Sequence, residues 1–328
     1  MKNILNKLFE QKRLTKEESK EVLINIAQEK YNSAQIAAFM TVFLMRPVSV
    51  DELSGFREAL LELAVKVDLS EYNTIDLCGT GGDGKNTFNI STLTSFVVAG
   101  TGNKVAKHGN YGVSSASGSS NMLEFLGYQF TNDEATLKQQ LATANICFLH
   151  APLFHPAMKV VAPIRRELGV KTFFNMLGPL VNPSFPQNQL VGVFNLEVAR
   201  VYNYMLQSTT VNYGVVHALD GYDEISLTSD FKLFTKDAEQ QISPEDLEQQ
   251  QILQSDIFGG NSVPEAAEIF VNIINGKGTT QQNNVVLTNA AFALTIIDKN
   301  KSFKEAFEEA KESLFGLKAK KSLSLITN

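Results

Sequence analysis

The sequence predicts an α/β protein with a small N-terminal all-helical domain, residues 1–70, and a larger α/β domain, residues 71–328. In the larger domain we expect a central, mostly parallel sheet flanked by helices. Apolar residues recur at helical spacing in the first seventy residues. Between residues 74 and 216, short apolar runs typical of buried strands alternate with helical segments. The pattern from Val263 to Phe315 is mainly helical, and a helical segment near residues 160–185 is a candidate addition to the first domain.

Two capping boxes indicate where helices begin in the first domain. Thr15 and Ser49 each stand three residues before a carboxylate, Glu18 and Glu52. At that spacing the hydroxyl and the carboxylate each bond the other residue's backbone N–H. The apolar stripe between them stops at Pro47, which cannot continue a helix. The stripe predicts either a dimer surface or a helical layer packed on the second domain.

Five apolar runs are predicted to be strands of the larger domain. Helices are expected from about Thr92 and over Asn121–Leu126. Crossover helices of this kind cover both faces of a parallel sheet. The predicted strands are Thr74–Cys78, Lys104–Ala106, Ile146–Leu149, Leu190–Val193 and Tyr213–Val216.

Composition and charge restrict the function classes. The 328 residues are 44% hydrophobic and 20% charged, as in ordinary globular proteins, and the net charge is −6. A general nucleic-acid binder carries a basic surface, so we expect small phosphorylated ligands rather than nucleic acid. The two cysteines, Cys78 and Cys147, are interpreted as reduced thiols, and the ten-residue apolar run Ile36–Met45 is too short to span a membrane. We expect a cytoplasmic protein without a membrane partner.

Glycines are concentrated in one region, since nine of the 21 lie between Gly79 and Gly118. The segment Gly79-Thr80-Gly81-Gly82-Asp83-Gly84 directly follows a predicted strand. Without Cβ atoms, its backbone N–H groups can converge on an anion, and the next helix start also favours negative charge. The segment has neither the Walker pattern nor the dinucleotide-binding spacing. It predicts a phosphate site, and a simple tight turn is the alternative.

Two further clusters favour phosphate and metal chemistry. Lys107-His108-Gly109-Asn110 offers a cation for a phosphate, and a run of small hydroxyl residues follows it up to Ser120. Asp220-Gly221-Tyr222-Asp223-Glu224 places adjacent carboxylates after a strand, where magnesium could bind together with substrate phosphates. A flexible linker and a solvated acidic turn are the alternatives. All three clusters together fit a doubly phosphorylated sugar such as phosphoribosyl pyrophosphate (PRPP).

In order and spacing, these segments resemble the anthranilate phosphoribosyltransferase family. The stretches Pro163–Gly169 and Phe174–Pro183 agree with it, and the resemblance covers nearly the whole chain. It implies transfer of the 5-phosphoribosyl group from PRPP to the amine of anthranilate, the second step of tryptophan biosynthesis from chorismate. It also implies an active site at the junction of the two domains and a homodimer formed through the helical domain.

The resemblance also implies roles for individual residues. The implied PRPP-binding residues are Gly79, Gly82, Asp83, Thr87, Asn89, Ile90, Ser91, Thr92, Lys107, His108, Gly109, Asn110, Tyr111, Gly112, Val113, Ser114, Ser115 and Ser119. The implied anthranilate-binding residues are Gly79, Asn110, His155, Arg165 and Gly178. Ser91, Asp223 and Glu224 would hold Mg²⁺, as two ions per monomer, and the catalytic set would be Asp223, Glu224 and His108. His108 would act as a proton acceptor or as a neutral polar wall.

Two residues depart from the family pattern. Tyr111 stands where an arginine is typical, and Asn121 stands where an aspartate is typical. Loss of the arginine removes a positive charge near the phosphate loop. Two alternative functions share the architecture, namely a pyrimidine nucleoside phosphorylase and a non-catalytic nucleic-acid-binding relative.

Overall fold

The structure is a computed structural model that describes residues 1–112 and 117–327. The chain divides into two compact units. Among the described residues, no helix has the length and apolar character needed to cross a membrane. The first unit is Met1–Lys66 with Ala151–Pro183, and the second is Val67–His150 with Ser184–Asn328.

Both units contain helices. Those of the described residues are α1 (Lys2–Phe9), α2 (Lys16–Ala27), α3 (Ser33–Met45), α4 (Val50–Leu63), α5 (Ile90–Gly100), α6 (Ser119–Phe125), α7 (Glu134–Ala144), α8 (Ala151–Phe154), α9 (Ala157–Leu168), α10 (Phe174–Leu177), α11 (Leu196–Gln207), α12 (Val263–Ile274), α13 (Thr280–Ile297), α14 (Phe303–Phe315) and α15 (Lys318–Thr327). Both predicted capping boxes are confirmed, at the starts of α2 and α4. The helix predicted from about Thr92 begins two residues earlier, at Ile90.

An aromatic cluster explains why the segment after residue 150 belongs to the first unit. Phe173 stacks on Phe56 of α4 with ring centroids 4.6 Å apart. The rings of Phe39 and Phe43 on α3 lie 6.0 and 5.0 Å from the Phe173 ring. Aromatic contacts of this kind add to the free energy gained from burial. The N-terminal helices therefore complete their core with a residue that comes more than one hundred positions later.

The second unit contains a seven-stranded sheet in the described residues. Its order is β3-β2-β1-β4-β5-β6-β7, in which β1 to β5 are parallel and β6 and β7 are antiparallel. With helices flanking this sheet, the predicted fold class is confirmed. The strands are β1 (Thr74–Gly79), β2 (Lys104–Gly109), β3 (Ile146–His150), β4 (Asn188–Gly192), β5 (Asn212–Ala218), β6 (Phe231–Phe234) and β7 (Glu239–Ile242).

The strand order reverses between β1 and β4. Chain connections leave β1 toward β2 on one side, and the chain later returns to β4 on the other side of β1. In parallel α/β sheets, such a reversal opens a crevice at the carboxyl ends of the two strands, where ligands commonly bind. The buried helices α5 and α13 pack against the sheet and against each other, so the ends of these strands rest on a solid core. The crevice between the ends of β1 and β4 is therefore the expected ligand site.

Candidate functional site

Both strands that border the crevice end in glycine. Gly79 of β1 and Gly192 of β4 are partners in the parallel register. A Cβ atom on Gly79 would overlap the carboxylate of Asp223, and one on Gly192 would overlap the Asp223 backbone carbonyl. The two glycines therefore allow the loop of residues 220–224, called the acidic loop, to approach the strand ends. Gly192 was not among the predicted site residues, although a glycine at the end of a predicted strand is a visible signal.

The glycine loop after β1 adopts left-handed backbone conformations. The φ angles of Gly81, Gly82 and Gly84 are 62°, 74° and 76°, which glycine adopts at little cost. The N–H of Gly81 donates to Oδ2 of Asp223 at 2.6 Å, so one amide of the loop faces the acidic loop. The buried hydroxyl of Thr80 has no hydrogen-bond partner in the described part of the chain. Thr80 is thus a candidate ligand contact that the predicted set did not include.

Two carboxylates follow β5 and lie at the crevice. Asp223 is only 8% exposed, and Oε1 of the partly buried Glu224 accepts from the Ser91 N–H at 3.0 Å. Burial, followed by the charge of Asp83, raises the pKa of Asp223 to about 7. Burial, followed by the charge of Asp223, raises the pKa of Glu224 well above its usual range. The charge of Asp83 therefore makes the ionised form of Asp223 less favourable, and the charge of Asp223 does the same to Glu224.

The acidic loop fits a magnesium ion whose remaining ligands come from a substrate and from water. The carboxyl of Asp83 lies beside that of Asp223 and helps to raise the pKa of Asp223, so a cation between the two would relieve their repulsion. Among the residues described, no three His, Cys, Asp or Glu side chains are arranged to hold a metal ion. Magnesium needs only one or two carboxylates and takes water or phosphate oxygens for the rest. Asp223 and Glu224, with the hydroxyl of Ser91 beside them, match that requirement.

The predicted helix start at residues 89–92 lies against the same carboxylates. Ser91 donates its N–H to Glu224 and receives a hydrogen bond at its Oγ from Lys107 Nζ at 3.3 Å. The Asn89 amide donates to the Ser117 carbonyl at 2.9 Å, while Ile90 and Thr92 are buried. The first turn of α5 therefore directs the Ser91 N–H toward a carboxylate, which the helix dipole also favours.

Lys107 is buried rather than extended into solvent. Only 1% exposed, it donates from Nζ to the Leu77 carbonyl as well as to Ser91. Burial lowers the pKa of its ammonium. Its neighbour His108 is 5% exposed, and the backbone N–H of His108 donates to Oδ1 of the fully buried Asp76 at 3.0 Å. Asp76 is a third residue missing from the predicted set, and its signal was a carboxylate inside an apolar strand.

The segment after β2 contains both departures from the family pattern. The exposed Asn110 accepts at its backbone carbonyl from the Ser119 hydroxyl at 3.3 Å. The ring of Tyr111 packs edge-on against His150, with centroids 4.9 Å apart. Oδ1 of Asn121 accepts from the N–H groups of Gly112 at 2.9 Å and Gly118 at 3.1 Å. Asn121 therefore binds the backbone on both sides of residues 113–116. The predicted PRPP residues Val113, Ser114 and Ser115 are in that stretch, which lies outside the described residues.

The glycine loop is closed at its far end by Thr87, which pairs with Phe258 in an isolated antiparallel bridge. The backbone N–H of Lys85 donates to Oδ1 of Asp83 at 2.9 Å, and this turns the loop back on itself. Gly79, Gly82, Asp83, Thr87, Ser91 and Lys107 all belong to the second unit, together with Asp223 and Glu224.

Three of the predicted anthranilate residues belong to the first unit. Nη2 of Arg165 donates to Oδ1 of Asn175 at 3.2 Å, and its guanidinium lies 5.5 Å from the centroid of the Phe174 ring. Gly178 begins a short 3₁₀ turn. His155 is 2% exposed, and burial lowers its pKa to about 4. Gly79 and Asn110 belong to the second unit, so the predicted set draws on both units.

Comparison with known proteins identifies the family. The family described as "Glycosyl transferase family, a/b domain" matches residues 71–319, and its helical bundle domain matches residues 2–64. The chain is 64% identical over 323 residues to the anthranilate phosphoribosyltransferase of Flavobacterium johnsoniae, covering 98% of each chain. The chain belongs to the anthranilate phosphoribosyltransferase family. Neither the phosphorylase nor the nucleic-acid-binding alternative finds support in these matches.

Solved structures of the family share this fold. The anthranilate phosphoribosyltransferase of Thermus thermophilus superposes with a TM-score of 0.92 at 30% identity and covers 98% of both chains. The Saccharomyces cerevisiae enzyme in complex with PRPP and Mg superposes with a TM-score of 0.90 at 26% identity, covering 98% of this chain and 95% of its own. A further structure of that yeast enzyme contains 4-fluoroanthranilate, at a TM-score of 0.88 and 25% identity.

Proposed function

We propose that this protein transfers the 5-phosphoribosyl group of PRPP to the amine of anthranilate, releasing pyrophosphate and N-(5-phosphoribosyl)anthranilate. This reaction is the second step of tryptophan biosynthesis from chorismate. One observation supports it above the others: the buried Asp223 accepts a hydrogen bond from the glycine loop, and the partly buried Glu224 accepts one from the first turn of α5. That arrangement combines N–H donors for phosphate with carboxylates for a cation, in a chain that belongs to this family.

Magnesium would be held by Asp223, Glu224 and the hydroxyl of Ser91, and we propose two ions per monomer. Bound there, magnesium would neutralise charge on the departing pyrophosphate. The structure of a yeast relative in complex with PRPP and Mg supports the use of magnesium. The backbone N–H groups of Gly81 and Ser91 point toward the same carboxylates, and they are fixed in place before the reaction begins. We assign the remaining predicted PRPP residues to the same pocket.

Anthranilate requires positioning more than activation. Its aromatic amine is neutral at pH 7, so no strong base is needed. Arg165, already oriented by Asn175 and Phe174, can pair with the anthranilate carboxylate as a bidentate fork. Such a pair would fix the amine toward the anomeric carbon of the ribose. We assign His108 the role of a neutral polar wall, and Gly79, Asn110, His155 and Gly178 contacts with anthranilate.

We also propose that the protein is a cytoplasmic homodimer joined through its helical unit. That unit exposes large apolar side chains: Met45 is 83% exposed, Phe9 60% and Leu44 45%. Such residues are favourable in an interface and unfavourable in water. Sedimentation velocity at micromolar concentration tests the dimer, and a purely monomeric profile contradicts it.

The decisive assay follows the loss of anthranilate fluorescence in the presence of PRPP, with and without magnesium. We expect consumption only when both are present. Phosphorolysis of thymidine and uridine, assayed in parallel, tests the phosphorylase alternative, and a salt-dependent DNA shift assay tests the binding alternative. Anthranilate that remains unchanged while a nucleoside is cleaved would overturn the proposal.

A further inference from the structure

The glycine loop and the acidic loop meet at a second place, away from the bond between Gly81 and Asp223. Nζ of Lys85, in the glycine loop, lies 4.6 Å from the centroid of the Tyr222 ring. Tyr222 directly precedes Asp223 in the chain. An ammonium this close to the face of an aromatic ring is attracted by the negative charge of its π electrons. Two loops that are far apart in sequence are therefore joined by a cation–π contact beside the carboxylates.

Lys85 contacts both loops with different atoms. Its backbone N–H donates to Oδ1 of Asp83 at 2.9 Å, while its side chain reaches Tyr222. In the described part of the chain, no carboxylate lies within ion-pair distance of the Lys85 ammonium. The contact with the ring is therefore not a by-product of a salt bridge.

The Tyr222 ring is held firmly enough to transmit this contact. It is only 4% exposed, and the preceding Gly221 has a φ of 99°, which turns the chain sharply before the ring. Cation–π contacts strengthen when the ring is removed from water. Because Tyr222 and Asp223 are consecutive, a change in the position of the ring changes the backbone that carries the carboxylate.

We infer that Lys85 and Tyr222 form a positioning pair that fixes Asp223 and Glu224 against the glycine loop and so sets the affinity of the site for a divalent cation. The inference rests on the proposed function, because it assigns the cation to these carboxylates. Lys85 and Tyr222 are positioning residues that act through Asp223.

Hydrogen–deuterium exchange of the full chain, without substrate or metal, tests the coupling of the loops. Lys85→Met removes the cation, and Tyr222→Leu removes the ring. We expect Lys85→Met to accelerate exchange in residues 219–224, and Tyr222→Leu to accelerate it in residues 80–87, by on the order of threefold to tenfold. The conservative variants Lys85→Arg and Tyr222→Phe retain the cation–π contact, so exchange in both segments should stay as slow as in the wild type. Lys236→Met, at an exposed lysine elsewhere in the unit, is the matched control and should leave both segments unchanged.

Manganese binding provides a second readout that does not depend on turnover. Electron paramagnetic resonance of Mn²⁺ titrated into the chain should show the half-saturating concentration rising by a similar factor in Lys85→Met and in Tyr222→Leu. The double variant should bind Mn²⁺ no more weakly than the weaker-binding single variant, since both substitutions remove the same contact. Effects that multiply in the double variant, or exchange that accelerates only in the loop carrying the substitution, overturn the inference.

The two proposals fail in different ways. In one outcome, each substitution accelerates hydrogen–deuterium exchange in the other loop, but the protein does not consume anthranilate. That outcome contradicts the proposed function and supports the coupling of the loops. A chain that consumes anthranilate with magnesium while its two loops exchange independently contradicts the positioning pair alone.

Discussion

Asp223 shows how its surroundings prepare a single carboxylate for a cation. Its backbone approaches two glycines, its Oδ2 accepts from Gly81, and a second carboxyl, Asp83, lies beside it. Burial raises its pKa to about 7, so without a cation the carboxyl is only partly ionised near neutrality. A divalent ion shifts this balance toward the charged form, because it stabilises the ionised carboxylate that burial destabilises.

Removing the charges of the acidic pair tests its role directly. We expect Asp223→Asn with Glu224→Gln to lower kcat by on the order of 10² or more, the scale of a lost electrostatic contribution to the transition state. Initial rates over a magnesium series measure it. The exposed pair Glu245→Gln with Asp246→Asn is the matched control. A near-normal rate at saturating magnesium would contradict the metal role.

Arg165 is expected to contribute to the binding of anthranilate and not to that of PRPP. Arg165→Ala should raise the KM for anthranilate by on the order of tenfold or more, because a charge-assisted bidentate pair is lost. The KM for PRPP should change much less. Arg166→Ala removes an exposed arginine from the same helix and serves as control. Equal increases in both KM values would show that Arg165 does not select anthranilate.

At the scale of elements, the site depends on two strands that are neighbours in the sheet but distant in sequence. The end of β1 and the end of β4 together leave room for the acidic loop, and each contributes a glycine. Sequence patterns located both strands separately, as well as the loops that follow β1, β2 and β5. They could not show that β4 lies beside β1, since pairing across the sheet is set by tertiary packing.

Gly192→Ala tests this shared strand end. The added methyl would overlap the backbone of Asp223, so the acidic loop must shift. We expect a several-fold higher half-saturating magnesium concentration, and a loss of about 1–3 kcal/mol in the free energy of unfolding from overpacking. In the control Gly214→Ala, the methyl meets only side-chain atoms of the core. That variant should lose stability without a change in the magnesium requirement. Identical magnesium curves for both variants would contradict the argument.

There are physical reasons why the sequence analysis did not predict some parts of the fold. The strands β6 and β7 have four residues each, and Glu239, Gln240 and Gln241 in β7 are polar and exposed. Such an edge strand has neither an apolar run nor a clear alternation. In the site, the roles of Asp76 and Gly192 depend on neighbours that are distant in sequence, namely His108 and Asp223. The predicted Asp223 and Glu224 were visible because two adjacent carboxylates follow a strand.

At the scale of the whole molecule, acid stability depends on groups that are buried in one protonation state. His155 is such a group: burial lowers its pKa from the ordinary value of 6.5 to about 4. The unfolded chain then binds more protons than the folded chain between those two values. Stability contributed by the neutral ring is therefore complete above pH 6.5 and decreases as the pH falls toward 4.

His155→Gln should remove this contribution to the pH dependence. Between pH 6.5 and 4, the free energy of unfolding of the wild type should fall by about 3 kcal/mol more than that of the variant. Urea unfolding at a series of pH values measures the difference, which cancels the titration of all other groups. Parallel curves for the two proteins would show that the ring is not held neutral.

The position of Phe173 in the chain has a consequence for synthesis on the ribosome. The N-terminal helices emerge first, but their aromatic cluster lacks one ring until residue 173 has left the ribosomal tunnel. By then β1 to β3 have already emerged, because they precede it in sequence. Nascent chains stalled before residue 151 should therefore leave the faces of Phe39, Phe43 and Phe56 accessible to chaperones. The N-terminal helices are made first, but they cannot finish folding until residues 151–183 have followed them.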